Sequence, residues 1–149
     1  MKKILTLAAL AVSTMLHAGV WAPKQAPLMT TWGEKVTAEN AHQEYPRPQM
    51  VRNYGWINLN GLWELRKGIP GEGYDASFDY NKNILVPYPI ESALSGVMEK
   101  SDEQCYWYRR MFNAPKKMHG KRLLLHLGAV DWESKIFVNG IEVGSHTGG

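Results

Sequence analysis

The sequence predicts an all-β protein, an antiparallel β-sandwich. Three observations predict it. Apolar and aromatic residues gather in short runs of strand length, punctuated by Gly, Pro and Asn turns. Asn139-Gly140 stands between two apolar runs, the strongest two-residue hairpin signal, because a type I′ turn needs positive φ at both central residues. No stretch carries an amphipathic helical period over helix length, and no internal repeat or low-complexity tract competes.

Residues 1–18 read as a signal peptide. Lys2-Lys3 form a positive start, residues 4–16 are mostly apolar, and Leu16-His17-Ala18 ends in a small residue suited to cleavage before Gly19. The apolar run is short for a bilayer span. No membrane anchor is expected after its removal, and the protein is expected to be periplasmic or secreted. Cys105 is the one cysteine, so no internal disulfide is possible and stability must come from a core.

Residues 19–52 read as an extended arm. Pro23, Pro27, Pro46 and Pro48 interrupt any strand alternation. Residues 37–43 have the composition for one or two helical turns, started by Thr37 and ended before Tyr45-Pro46. The arm's expected role is to lie across the domain that follows.

That domain is expected over residues 53–149. A turn at Asn60-Gly61 leads into a first strand through Leu62-Trp63-Glu64-Leu65. Ile84-Leu85-Val86 is a short apolar strand closed by Pro87, and Glu91 follows on a loop. Residues 105–112 form the next strand, and residues 115–120 a polar connection. Residues 122–127 alternate, with Leu123, Leu125 and Leu127 on one face, and read as another strand. Then Trp132, Ser134, Ile136 and Val138 share a strand face. With a two-residue turn, Val138 is expected opposite Ile141, Phe137 opposite Glu142 and Ile136 opposite Val143. The final Gly-flanked stretch, with His146, reads as a flexible loop.

Composition limits the function. The 149 residues suit one domain, and 44% hydrophobic with 21% charged residues is globular. A net charge of +3, partly carried by Lys2 and Lys3, and the lack of a basic block disfavour nucleic acid as a partner.

Several strings carry a family resemblance. Leu123 to Gly149 (LLLHLGAVDWESKIFVNGIEVGSHTGG) joins an apolar strand, a Gly-Ala-Val-Asp-aromatic turn, a Val-Asn-Gly hairpin and a Val-Gly-x-His-x-Gly-Gly loop. Upstream lie Leu59-Asn60-Gly61-Leu62-Trp63, the Val86-Pro87 segment running to Glu91-Ser92, and Tyr108-Arg109-Arg110-x-Phe112. Together they resemble the N-terminal sugar-binding domain of glycoside hydrolase family 2, the β-galactosidase and β-glucuronidase family. The resemblance covers roughly the last two-thirds of the chain. It implies a jelly roll of the galactose-binding-domain type, incomplete at its C-terminal end, and a retaining enzyme acting on terminal β-linked sugars. It also implies that both catalytic glutamates come from a later (β/α)₈ barrel, the acid/base following an Asn. No Asn-Glu dipeptide occurs here. This chain is therefore expected to be a truncated leading portion that shapes the substrate pocket and packs on the barrel, inactive alone. The expected partners are a carbohydrate substrate and that barrel.

The candidate site residues are His146, Glu91 and Asp131. No catalytic residue is expected, because glycoside hydrolysis needs two carboxylates about 5 Å apart for retention and no such pair is evident. Asp131 ends a turn, where a carboxylate ordinarily bonds nearby amides; ligand contact is the alternative. Glu91 has either a ligand-facing or a solvated role. His146, by the family loop, either meets sugar hydroxyls or the barrel rim, or simply solvates a turn. Glu133 and Glu142 read as solvated. No histidines pair at metal-ligand spacing, so neither metal nor cofactor is expected. Trp63, Trp107 and Trp132 have faces that suit sugar stacking, but packing is the better-supported role. A self-standing carbohydrate-binding module, or a structural docking domain, are the competing readings.

Overall fold

The computed structural model describes residues 21–44, 55–101 and 105–148. The expected signal peptide lies outside them. Among the described residues, five strands form two antiparallel sheets: β1 (Gly61–Gly68), β2 (Lys82–Val86), β3 (Cys105–Arg109), β4 (Glu133–Val138) and β5 (Ile141–Thr147). The orders are β2-β1-β3 and β4-β5. Only short 3-10 turns accompany them, with no α-helix among the described residues. The all-β, antiparallel architecture is the one expected of a β-sandwich.

β1 is central, and its alternation sorts two faces. Trp63 pairs with Ile84, Gly61 with Val86 and Leu65 with Tyr108. Leu65, Ile84, Ile90 and Val97 form the core beneath that face, with Trp63, Val86 and Tyr106 packed against it. Ile84 and Leu85 are both fully buried, so β2 is covered on both sides, as its continuous apolar run implies. The opposite face of β1 carries Leu62, Glu64 and Arg66.

After β2, the segment 87–97 folds back over the core around one polar side chain. Ser95 is fully buried, yet its hydroxyl is satisfied. Its Oγ lies 2.7 Å from Ser92 O and 3.2 Å from Ile90 O, and accepts from Val97 N at 3.0 Å. Ser92 caps the 3-10 turn Ala93–Ser95 by accepting from Leu94 N, and Gly96 ends it at φ 82°.

The described part of the arm lies across this segment. Trp21 Nε1 donates to Ser95 O at 3.2 Å, and Lys24 N donates to Ala93 O at 2.9 Å. A Cβ on Gly96 would stand 2.6 Å from the Trp21 ring, so only glycine fits there. Further on, Ala41 is fully buried, and the Asn58 and Asn60 amides donate to His42 O at 3.1 and 3.0 Å. Thr37 does start a turn: its Oγ1 accepts from Glu39 N and Asn40 N, while Asn40 Oδ1 accepts from Thr37 N. The turns do not become a helix. His42 takes φ 45°, which breaks a helical ladder, and its carbonyl is committed to the asparagines.

Four strand expectations need correction. Residues 122–127 form no strand: no ladder partner exists among the described residues, and Leu123, Leu124, Leu125 and Leu127 are all half or more exposed. β3 ends at Arg109 rather than at residue 112: its ladder with β1 stops at Glu64 opposite Arg109, and the Leu62 carbonyl beyond takes the Arg110 side chain instead. The hairpin turns at Asn139 and Gly140 with φ 51° and 81°, as the dipeptide demands. Val138 pairs with Ile141 and Phe137 with Glu142, but Ile136 faces Gly144 rather than Val143. Val143 is the extra residue of a β-bulge. Finally, His146 lies in β5, not in a loop. Exposed edge strands need no apolar alternation, so Gly144, Ser145, His146 and Thr147 all join the ladder.

Candidate functional site

The face of β1 opposite the core is where the two sheets meet. Arg66 forks onto Glu72, Nη1 to Oε2 at 2.9 Å and Nη2 to Oε1 at 3.3 Å. Glu72 Oε2 also accepts from Trp107 Nε1 at 2.9 Å. The Arg66 guanidinium holds the Glu72 carboxyl below the usual carboxylate range, with Trp107 and the Ile69 amide adding to it. Arg66 lies 4.0 Å over the Phe78 ring, and Phe78 packs on Trp107 at 5.1 Å between centroids. Onto this layer the hairpin sets Phe137, stacked on Tyr74 at 5.4 Å and 5.7 Å from Trp107. Trp107 is thus a packing residue, as is Trp63, whose Nε1 donates to Leu59 O at 2.7 Å.

Beside this layer the same face opens into a shallow hollow of about 300 Å³ bordered by Glu64, Asn83, Arg109 and Arg110. Glu64 accepts from Arg109 Nε at 2.5 Å, and Arg109 covers the Tyr80 ring at 3.9 Å. Arg110 Nη1 donates to Leu62 O at 3.1 Å, and burial lowers its pKa.

The three sequence candidates make no bond to one another: no hydrogen bond or ion pair joins any two of them among the described residues. Glu91 is exposed on the segment over the core and accepts from Ser101 Oγ, which draws its pKa down. Its backbone neighbours are pinned, with Ser92 N donating to Pro89 O at 2.8 Å and Glu99 N to Ile90 O at 3.2 Å. Asp131 is exposed just before β4. His146 is exposed on β5 opposite Ser134, and the ladder continues past it through Gly148 N donating to Trp132 O at 2.8 Å. Glu133 and Glu142 are exposed on strands. His126 is not isolated: its ring lies 5.6 Å from that of Trp56. Among the described residues no three His, Cys, Asp or Glu side chains gather as a metal site would.

Two tryptophans stand out in solvent, Trp132 at 65% and Trp32 at 78% exposure. Packing does not describe Trp132, which continues the exposed run of Leu123, Leu124, Leu125, Leu127 and Val130. Trp32 escaped sequence reasoning because the arm shows no strand or helix pattern that would sort buried from exposed positions. The polar flanks Thr30, Thr31, Glu34 and Lys35 are the signal that would have found it.

Curated glycosidases are similar to this antiparallel all-β chain and support a glycosidase-related region. The chain is 26% identical over 110 residues to a β-glucuronidase of Streptococcus agalactiae, covering 68% of this chain and 17% of that protein. It is 40% identical over 99 residues to a β-galactosidase of Thermoanaerobacter pseudethanolicus, covering 62% of this chain and 13% of that protein. A β-glucuronidase of Canis lupus familiaris is 26% identical over 147 residues, 89% of this chain and 22% of that protein. The chain thus spans less than a quarter of the curated relatives it matches. These similarities suggest a relationship with glycoside hydrolase family 2. No family model matches the chain.

Proposed function

We propose that this chain is the non-catalytic N-terminal portion of a secreted, retaining β-glycosidase of family 2, a jelly roll that helps shape the substrate pocket and packs on a catalytic barrel. The observation that carries it is the similarity to β-glucuronidases and a β-galactosidase over a small fraction of their length. The exposed apolar run from Leu123 to Trp132 supports a docking role, because a patch of this kind ordinarily marks an interface. In this reading residues 1–18 are removed on export, and Glu91, Asp131 and His146 face the pocket or the barrel rim.

The test is the reading frame downstream of this chain. A barrel with an Asn-Glu strand end, and hydrolysis of nitrophenyl β-galactoside or β-glucuronide by the extended protein but not by these 149 residues, is the expected result. Turnover by the chain itself, lost on mutating Glu91 or Asp131, overturns it.

A further inference from the structure

Trp32 is the residue whose exposure the fold does not explain. The turn that carries it is firmly built. Gly33 N donates to Thr30 Oγ1 at 3.0 Å, Glu34 N to Thr30 O at 3.0 Å, and Lys35 N to Trp32 O at 3.1 Å. Val36 N donates to Gly33 O at 3.2 Å, and Asn40 Nδ2 donates to Lys35 O at 2.8 Å. Gly33 is buried while the indole beside it is 78% exposed. The chain on either side is fastened to the domain, through Trp21 on Ser95 and through His42 on Asn58 and Asn60.

The indole itself is unengaged among the described residues: its Nε1 has no hydrogen-bond partner and its ring meets no other ring. Trp21, Trp63 and Trp107 all spend their Nε1 donors on protein acceptors. Leaving a large apolar surface in water sacrifices free energy that burial would supply. A fixed pedestal with a free indole is what a flat ligand requires, because little ordering remains to be done on binding.

We infer that Trp32 is a carbohydrate-stacking platform, taking the C–H face of a β-linked pyranose on its ring. The negative face of the indole attracts the weakly positive axial hydrogens of a pyranose, and the N–H, directed outward in the ring plane, stays open to a hydroxyl beside the stacked sugar. The surroundings favour sugar over protein: Thr30, Thr31, Glu34 and Lys35 flank it with hydroxyls and charges. Trp132, by contrast, lies within a long exposed apolar run suited to a protein surface. Leu28, 90% exposed four residues earlier, is the one neighbour in sequence that a protein partner would also use. This inference rests on the glycosidase reading and adds a contact residue on the arm.

The indole N–H resonances of the full chain, labelled with nitrogen-15, provide the test. They are assigned with W32F and W132F, then titrated separately with methyl β-galactopyranoside and methyl β-glucuronide. The expected result is a saturable shift of the Trp32 signal with at least one sugar, while those of Trp21, Trp63 and Trp107 stay in place. W32A should remove the saturable heat that the same sugar gives with the natural chain in calorimetry, and leave Tm unchanged. If other resonances shift saturably while Trp32 does not, the inference fails and the carbohydrate reading stands without it. If no resonance responds to either sugar, sugar binding by this portion fails along with it. A Trp32 signal that moves with protein concentration instead of sugar assigns the residue to protein contact and overturns the inference.

Discussion

Phe137 stacks on Tyr74 with ring planes 22° apart and centroids 5.4 Å apart, and this pair fastens one sheet to the other. Tyr74 belongs to the loop after β1, and Phe137 to β4. Trp107 of β3 completes the contact at 5.7 Å from Phe137. Of the hairpin's other apolar side chains, Val138, Ile141 and Val143 remain exposed and Ile136 is half-buried. The seating of β4-β5 therefore rests heavily on one ring.

Phe137→Ala should loosen the hairpin before the rest of the domain. The loss should be about 2 kcal/mol, below the usual cost for a fully buried phenylalanine, because Phe137 is half-buried. Hydrogen exchange checks it: amides of β4 and β5 should exchange faster, while those of β1 and β2 change little.

Leu65→Ala should destabilise the whole domain by about 2–5 kcal/mol, since Leu65 is nearly inaccessible at the centre of the core. Denaturant unfolding measures the change. A loss under half a kilocalorie, against the cost expected for such a site, would show that the core is looser than its burial implies.

Acid should weaken the Arg66–Glu72–Trp107 cluster. Glu72 has a folded pKa below its ordinary value of 4.5, so its contribution is fully present above that value. It is lost as pH falls through the lower folded value, where the carboxylate takes up a proton. The Tm gap between the natural chain and E72Q should therefore be widest near neutrality and close as pH drops below 4.5. A gap independent of pH would assign Glu72 a packing role alone.

In an extended, active protein, His146→Ala should lower kcat/KM by about tenfold at most, the value of one hydrogen bond to an uncharged ligand. Tm should hold, because the side chain is exposed and only the backbone serves the ladder. Unchanged kinetics would leave His146 as a solvated strand residue.

Local signals were legible in the sequence, and pairing was not. The Asn139-Gly140 turn, the apolar strand at Ile84 and Leu85, and Thr37 starting a turn each depend on residues close in the chain. Residues 122–127 carry a sound strand pattern, but a strand exists only with a ladder partner, which no local pattern provides. Gly144 and Gly148 suggested a loop around His146, although a polar edge strand tolerates both. At the candidate site, the loop position of Glu91 was readable. Its bond to Ser101 and the exposure of Trp32 were not, since both follow from how the chain folds back.

The extra residue at Val143 sets the parity of everything after it. In an unbroken register, with Val143 across from Ile136, His146 would stand across from Glu133, on the side of Lys135 and Phe137 that looks toward the first sheet. With Val143 bulged out of the ladder, His146 stands across from Ser134, on the side of Ile136. A carboxylate neighbour is thereby exchanged for a hydroxyl, and an odd position becomes an even one. Deleting Val143 alone would make the ladder regular and leave Ser145, His146 and Thr147 across from Lys135, Ser134 and Glu133, where they stand now.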